Sequence, residues 1–303
     1  MSARYLLPYA PDAIGGLPDG IEAVVWDGNG PAPEAGALRA VEFFCLPYMR
    51  HAAALPLLPT LPALKLVQTL TAGMDDVLPH VPAGVAACNA RGLHDASTAE
   101  LAVALVLASL RGIPHFSRLQ AEGRWSQEFH QSLADRRVLI LGHGSIGQAL
   151  AARLLPFECE VVPVARRPRP GEGVHGVDAL PALLPTVDVV VVLTPLTAET
   201  RHLVDAGFLA RMKDGALLVN VARGPVVDTD ALLKELNAGR LRAALDVTDP
   251  EPLPAGHPLW HAPGTLITPH VGGPSSAFLP RAERLLRAQI LRYENGEEPA
   301  NRI

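Results

Sequence analysis

The feature that most constrains the fold is a series of short apolar runs in the second half of the chain. From Arg137 onward, residues 138–141, 161–164, 189–193, 217–219, 243–245 and 266–267 are almost wholly apolar. Uninterrupted rather than alternating apolarity suits a strand covered on both faces, and covered faces are characteristic of parallel sheets. Helix-like stretches, among them 146–155 and 228–238, separate most of these runs. Strand and helix in alternation predict a doubly wound α/β sheet.

The first 90 residues read as a second, smaller α/β layer. Residues 23–26, 41–46, 65–68 and 85–88 look like strands bounded by Pro and Gly, with helical segments at 33–39 and 51–58. A long helix is expected from near Asp95 to about Leu110. Ser97 and Glu100 have the spacing of a capping box, and Gly112 and Pro114 stop the helix. A last helix, 278–293, follows the second sheet and is expected to return to the first layer. The expected division is therefore a discontinuous, flavodoxin-like substrate domain (1–93 and 272–303) around a Rossmann-type cofactor domain (94–271), with hinges near 89–97 and 270–276.

Length supports two domains: 303 residues at roughly 100–200 per domain. A net charge of −5 argues against a nucleic-acid surface, which is strongly basic. Cys45, Cys88 and Cys159 lie far apart with no CxxC pair, so they read as small buried apolar residues rather than a disulfide framework or zinc site. No metal site is expected. The start lacks the pattern of a secretion signal, and the longest apolar stretch, 101–110, is too short to span a bilayer at about 20 residues. Cytoplasmic residence is the expectation.

Residues 142–147 read Gly-His-Gly-Ser-Ile-Gly between a strand and a helix, which is the context that gives a GxGxxG pattern meaning. Gly142 permits the tight turn, Gly144 lets a pyrophosphate approach the backbone, and Gly147 lets the helix pack close to the strand. The helix opening at Ser145 and Ile146 offers unpaired N–H groups to phosphate. About 20 residues on, an acidic side chain would select the ribose hydroxyls of NAD. The chain instead reads Ala165-Arg166-Arg167-Pro168-Arg169. Guanidinium groups bind a 2′-phosphate by paired, charge-assisted hydrogen bonds, so NADP is expected over NAD, with Arg166 and Arg167 better placed than Arg169.

Three later segments each close a strand at its carboxyl end, where open α/β sheets bind ligands. Arg223 is suited to clamp a carboxylate. Asp246 ends a strand and can face the ligand, whereas Asp249 reads as a plain loop charge. His270 sits beside small residues, with an ordinary pKa suited to proton exchange near neutrality. Reducing a keto acid needs a hydride to carbon and a proton to oxygen. A histidine, a carboxylate partner and an arginine supply what the protein must add.

In order along the chain, residues 142–147, 192–200, 220–224, 245–252 and 268–273, with Asn89 and Ala99-Glu100, resemble the motifs of the D-isomer-specific 2-hydroxyacid dehydrogenases. The likeness runs from about Thr69 to Gly273. It implies Arg223 as the substrate-binding and polarising arginine, His270 as the acid/base, and Glu251 as its carboxylate partner. It also implies Asp246 against the nicotinamide amide, Thr194 against the cofactor ribose, and the N–H groups of Ala72 and Gly73 as receivers of the substrate carboxylate. Homodimers joined through the cofactor domains are common in the family. The Arg166-Arg167 pair, where many members carry an aspartate, resembles the NADPH-preferring glyoxylate/hydroxypyruvate reductase branch. Two alternatives stand beside this reading. One is NAD-dependent 3-phosphoglycerate oxidation, for which Arg91 and Arg111 are candidate phosphate-binding cations. The other is a cofactor-sensing scaffold similar to the corepressors built on this fold.

Overall fold

The computed structural model describes residues 4–303, so residues 1–3 of the expected first segment lie outside the described residues. The chain separates into two compact units: one runs to His94 and resumes at Ser276–Ile303, and the other is Asp95–Ser275. Sequence reading sets these boundaries at 93/94 and 271/272.

In the first unit, β1 (Tyr5–Leu7), β2 (Ala23–Val25), β3 (Phe43–Cys45), β4 (Leu66–Gln68) and β5 (Ala86–Cys88) form an all-parallel sheet in the order β2-β1-β3-β4-β5. This is the flavodoxin-like order. Successive side chains alternate between faces. Leu6, Phe44, Val67 and Ala87 join Trp26 and Leu58 in one core. Tyr5, Leu7, Phe43, Cys45, Leu66 and Cys88 join Ala282, Leu286 and Ile290 of the helix Phe278–Glu294 in the other. That helix packs on the first sheet. β1 was not expected as a strand, yet it lies inside the sheet, between β2 and β3. Three apolar residues ahead of a proline are too few to show a period.

The second unit holds β6 (Arg137–Leu141), β7 (Glu160–Val164), β8 (Val189–Val192), β9 (Leu217–Asn220), β10 (Arg242–Leu245) and β11 (Thr265–Ile267). All are parallel, in the order β11-β10-β9-β8-β6-β7. A single parallel bridge, Val164 to His175, adds one more position beyond β7. The order reverses on either side of β6, which is the switch point where such sheets bind ligands. Leu139, Val162, Val190, Leu218 and Ala243 line one core. Val138, Ile140, Val189, Val191, Leu217 and Ala244 line the other, against Ala102, Leu105, Val106 and Leu150. Each fully buried Val, Leu or Ile contributes about 1.5–3 kcal/mol, which explains why both faces of the inner strands β8 and β9 read as apolar.

Helix details differ from expectation where local chemistry intervenes. The helix Asp95–Leu110 starts two residues before Ser97, so Ser97 lies in its first turn rather than at its N-cap. Gly112, at φ +65°, ends that helix but also caps a second one, Ile113–Ala121, with Pro114 in its first turn. Proline is tolerated there because no intrahelical N–H is needed. Residues 51–58 are α-helical only over His51–Ala54, and the segment Leu55–Thr60, with two prolines, tightens to 3₁₀. Cys45 and Cys88 are buried as expected, but Cys159 is only partly so; all three are free. No single described helix is long and apolar enough to cross a membrane.

Candidate active site

Because β6 and β8–β11 run parallel, the loops that follow them emerge at one edge of the sheet. The glycine loop comes first. Gly142 has φ +114°, and a Cβ there would meet the Leu193 carbonyl carbon at 2.6 Å and Thr194 N at 2.7 Å. No residue with a side chain fits this position. A Cβ on Gly147 would strike the Gly142 carbonyl, whereas one on Gly144 meets nothing within 4 Å. The three glycines thus serve a turn, an open approach and a close packing contact.

The helix Ser145–Leu154 starts with no side chain capping its N-cap Gly144. Its first-turn N–H groups are left for an anion. Across the switch point, the Thr194 hydroxyl is buried with no hydrogen-bond partner among the described residues. At the end of β7, Arg166 and Arg167 are exposed and make no hydrogen bond or ion pair among the described residues. Arg169 is committed: it pairs with Glu172 at 2.7 Å and donates to the His143 carbonyl at 3.2 Å. The Glu199 carboxyl is held below its usual range by the Thr197 hydroxyl and, more weakly, by Arg166. An open glycine turn, an uncapped helix and an orphaned hydroxyl fit a nicotinamide dinucleotide.

β9, β10 and β11 are neighbours, so their loops bring Arg223, Glu251 and His270 together. Asn220, buried at the end of β9, shapes the first loop: its Nδ2 donates to the Arg223 carbonyl at 3.0 Å, and its Oδ1 accepts from Ala222 N at 3.1 Å. The second loop is pinned by Thr248 Oγ1 to the Pro250 carbonyl (2.9 Å) and Thr229 Oγ1 to the Asp249 carbonyl (3.0 Å). In the third, His270 has φ +54°, a left-handed conformation costly for a residue with a Cβ. Its N–H donates to the Asp246 carbonyl at 2.7 Å. The Asp246 carboxylate is 2% exposed. It accepts from Thr268 Oγ1 (2.6 Å), Val271 N (2.9 Å) and Gly272 N (2.9 Å). Asp246 thus faces the loop that carries His270 rather than open solvent. Sequence reading missed the holding roles of Asn220 and Thr268. A buried polar residue closing an apolar run is the signal for the first.

His270 Nδ1 lies 2.5 Å from Glu251 Oε1. The hydrogen bond to Glu251 raises the His270 pKa above its usual value, against burial and against the Arg223 charge. For Glu251, burial pushes the pKa up, but the His270 hydrogen bond and charge, with Arg223 further off, bring it below the usual range. The arrangement favours an imidazolium–carboxylate pair with Nε2 left to exchange a proton, beside a guanidinium that attracts anions.

In the first unit, the loop after β4 holds Ala72 and Gly73. Thr71 Oγ1 donates to the Gly73 carbonyl at 2.7 Å, and Asn89 Nδ2 donates to the Ala72 carbonyl at 2.9 Å. The N–H groups of Ala72 and Gly73 have no acceptor among the described residues.

Residues 103–272 match the family model of the D-isomer specific 2-hydroxyacid dehydrogenase NAD binding domain. A glyoxylate reductase/hydroxypyruvate reductase of Homo sapiens is 34% identical over 267 residues, covering 83% of this chain and 81% of the human one. A D-isomer specific 2-hydroxyacid dehydrogenase from Xanthobacter autotrophicus, solved with NADPH and MES, is 33% identical with a TM-score of 0.83, covering 100% of this chain and 98% of the other. An NADPH-dependent glyoxylate/hydroxypyruvate reductase from Sinorhizobium meliloti, solved with NADP and sulfate, is 26% identical with a TM-score of 0.85, again covering 100% and 98%.

Proposed function

Since the chain belongs to the D-isomer specific 2-hydroxyacid dehydrogenases, we propose that this oxidoreductase uses NADPH to reduce a small 2-keto acid, with glyoxylate and hydroxypyruvate as the favoured substrates. The observation that carries the reading is the His270–Glu251 pair at 2.5 Å, formed between the loops that follow β11 and β10, with Asp246 at the end of β10 and Arg223 after the neighbouring β9.

The nicotinamide, when bound, supplies the hydride that goes to the keto carbon. The protein does the rest. His270, charged through its contact with Glu251, gives its Nε2 proton to the keto oxygen, and Glu251 fixes the ring by holding Nδ1–H. Arg223 draws negative charge toward the carbonyl oxygen and so polarises it. The N–H groups of Ala72 and Gly73 take the substrate carboxylate. Gly142, Gly144, Ser145, Ile146 and Gly147 cradle the pyrophosphate, Thr194 and Asp246 hold the ribose and the nicotinamide amide, and Arg166 and Arg167 hold the 2′-phosphate.

The same proposal makes the protein a cytoplasmic homodimer. Three free cysteines fit a reducing compartment. Trp125 and Phe129 stand 98% and 108% exposed in a stretch without regular structure. Large exposed aromatics mark an interaction surface. The test is NADPH and NADH oxidation against a panel of 2-keto acids. Turnover with glyoxylate or hydroxypyruvate, and at least tenfold preference for NADPH, is expected. No turnover with any acid would overturn the enzymatic reading in favour of a cofactor-sensing scaffold.

A further inference from the structure

Asn89, immediately after β5, has all its hydrogen-bonding groups engaged within the first unit. Its side-chain Nδ2 donates to the Ala72 carbonyl at 2.9 Å, and its Oδ1 accepts from Arg91 N at 3.0 Å. Its main-chain N–H donates to the Asn301 carbonyl at 3.1 Å, and its carbonyl accepts from Gln68 Nε2 at 3.1 Å. The residue therefore joins the 71–73 loop to residues 300–303.

Residues 300–303 run along the outer edge of β5. Cys88 and Arg302 form an antiparallel bridge, and Ile303 N donates to the Ala87 carbonyl at 2.9 Å. Two buried glutamines, Gln68 and Gln289, 0% and 2% exposed, lock this edge from within. Gln289 Nε2 donates to Gln68 Oε1 (2.9 Å) and to the Ala300 carbonyl (3.0 Å), and Gln289 Oε1 accepts from Ala300 N at 3.0 Å. Gln68 Nε2 in turn also donates to the Thr69 carbonyl at 2.7 Å. Two buried amides that satisfy each other so fully specify one arrangement, because any slip leaves a buried polar group unpaired. Asn301 is held at φ +57°, and its Nδ2 donates to the Arg91 carbonyl at 3.1 Å.

We propose that Asn89, Gln68, Gln289 and Asn301 are positioning residues for substrate binding, fixing the peptide planes of residues 72 and 73 so that their N–H groups stay turned outward to receive a carboxylate. The proposal rests on the reading above that this loop binds the substrate carboxylate. Anchoring the Ala72 carbonyl sets the plane of the 72–73 peptide, and with it the direction of the Gly73 N–H. The strand-like edge formed by residues 300–303 holds Asn89 in place from the other side. Substrate affinity is thereby tied to a segment more than 200 residues away in sequence from the loop it orders.

Asn89→Asp tests it. The variant keeps the acceptor for Arg91 N but replaces the donor to Ala72 with an anion facing its carbonyl. Binding of oxalate, a non-reacting dicarboxylate, is measured by calorimetry on the NADPH-loaded protein, with KM and kcat for glyoxylate and the melting temperature alongside. Oxalate Kd and glyoxylate KM should each rise about tenfold with kcat within twofold, because the lost interaction is made equally in ground and transition states. Asn301→Val, strained at a positive φ, should weaken oxalate more than Asn301→Gly, although both lose the same side-chain bond. An unchanged oxalate Kd in Asn89→Asp, or equal effects from the two Asn301 variants, would overturn the proposal. Gly73→Pro, which deletes one N–H, separates the two layers. If it weakens oxalate while Asn89→Asp does not, only the positioning role fails. If Gly73→Pro leaves oxalate binding intact, or the unaltered protein binds none, the loop reading fails and the positioning role with it.

Discussion

Gly224 offers the sharpest test of how the catalytic loops are held. It follows Arg223 and is buried against the backbone of the next loop. A Cβ at this position would lie 2.8 Å from Asp249 N and closer still to the Thr248 carbonyl. Both obstacles are main chain, so no rotamer change relieves them. In Gly224→Ala, the 248–251 loop must withdraw by on the order of 1.5 Å to restore ordinary contact. It must do so against the Thr248 and Thr229 hydrogen bonds that pin it. Overpacking of this kind costs about 1–3 kcal/mol. At roughly 2–4 °C per kcal/mol for a unit of this size, the melting temperature should fall by about 2–12 °C. The retreat also carries Glu251 away from His270. Misplacement by an ångström costs about a hundredfold in rate, so kcat/KM should drop by that order when assayed well below the new melting point. NADPH affinity, read by fluorescence, should stay within about twofold, since the glycine loop is elsewhere on the sheet edge. Unaltered stability would refute the steric reasoning. A lowered melting temperature with full kcat/KM would refute the placement of Glu251 in the chemistry.

Gly144→Ala should behave oppositely: with nothing within 4 Å of the new methyl, melting is unchanged but the KM for NADPH rises about tenfold or more, and an unchanged KM would remove the pyrophosphate from this turn. His270→Ala should lose about a hundredfold or more in kcat without loss of NADPH affinity; full activity would discard the proton donor. In the unaltered enzyme, keto-acid reduction should decline as pH rises through the His270 pKa, which Glu251 sets above the ordinary histidine value. The pair's stabilisation should follow suit. Present in full between the ordinary glutamate and histidine values, it is lost as pH rises through the raised histidine pKa and as pH falls through the lowered Glu251 pKa. Its size is about 1 kcal/mol at most, since 44% and 40% of the two side chains are exposed. Melting curves of Glu251→Gln that keep the same pH profile would contradict it. Arg166→Asp combined with Arg167→Ala should turn the NADPH preference toward NADH, and an unmoved ratio would defeat the assignment. Trp125→Ser with Phe129→Ser should convert a dimer to monomer by light scattering, and a persisting dimer would place the interface elsewhere.

Much of this site could be read from the sequence because its chemistry falls at strand ends, and strands buried on both faces announce themselves. Leu217 to Asn220 passes from three apolar residues to a polar one at the very point where the sheet stops, and Arg223 follows at once. The pairing of His270 with Glu251 was not visible in spacing. Nineteen positions separate them, and only the adjacency of β10 and β11 brings them together. It came from resemblance instead. The roles of Gln68, Asn89 and Gln289 were hidden for a different reason: an amide that cross-links distant segments leaves no periodic trace. β1 escaped notice because three residues cannot reveal a pattern, although Tyr5, Leu6 and Leu7 are each completely buried. The helix beyond Gly112 was overlooked because Gly and Pro were read as a stop, when here they also make a start.

The return of the helix Phe278–Glu294 to the first sheet has a consequence for how the polypeptide is made. On a ribosome adding about 5–20 residues per second, β1 to β5 emerge first, but the core that needs Ala282, Leu286 and Ile290 stays open until roughly two hundred further residues have been translated. For about ten to forty seconds, the early sheet must wait with an apolar face uncovered while the intervening unit, contiguous in the message, is free to complete itself. The first sheet is thus most in need of a chaperone while the intervening unit is being made, and is released from that need once the helix Phe278–Glu294 has emerged.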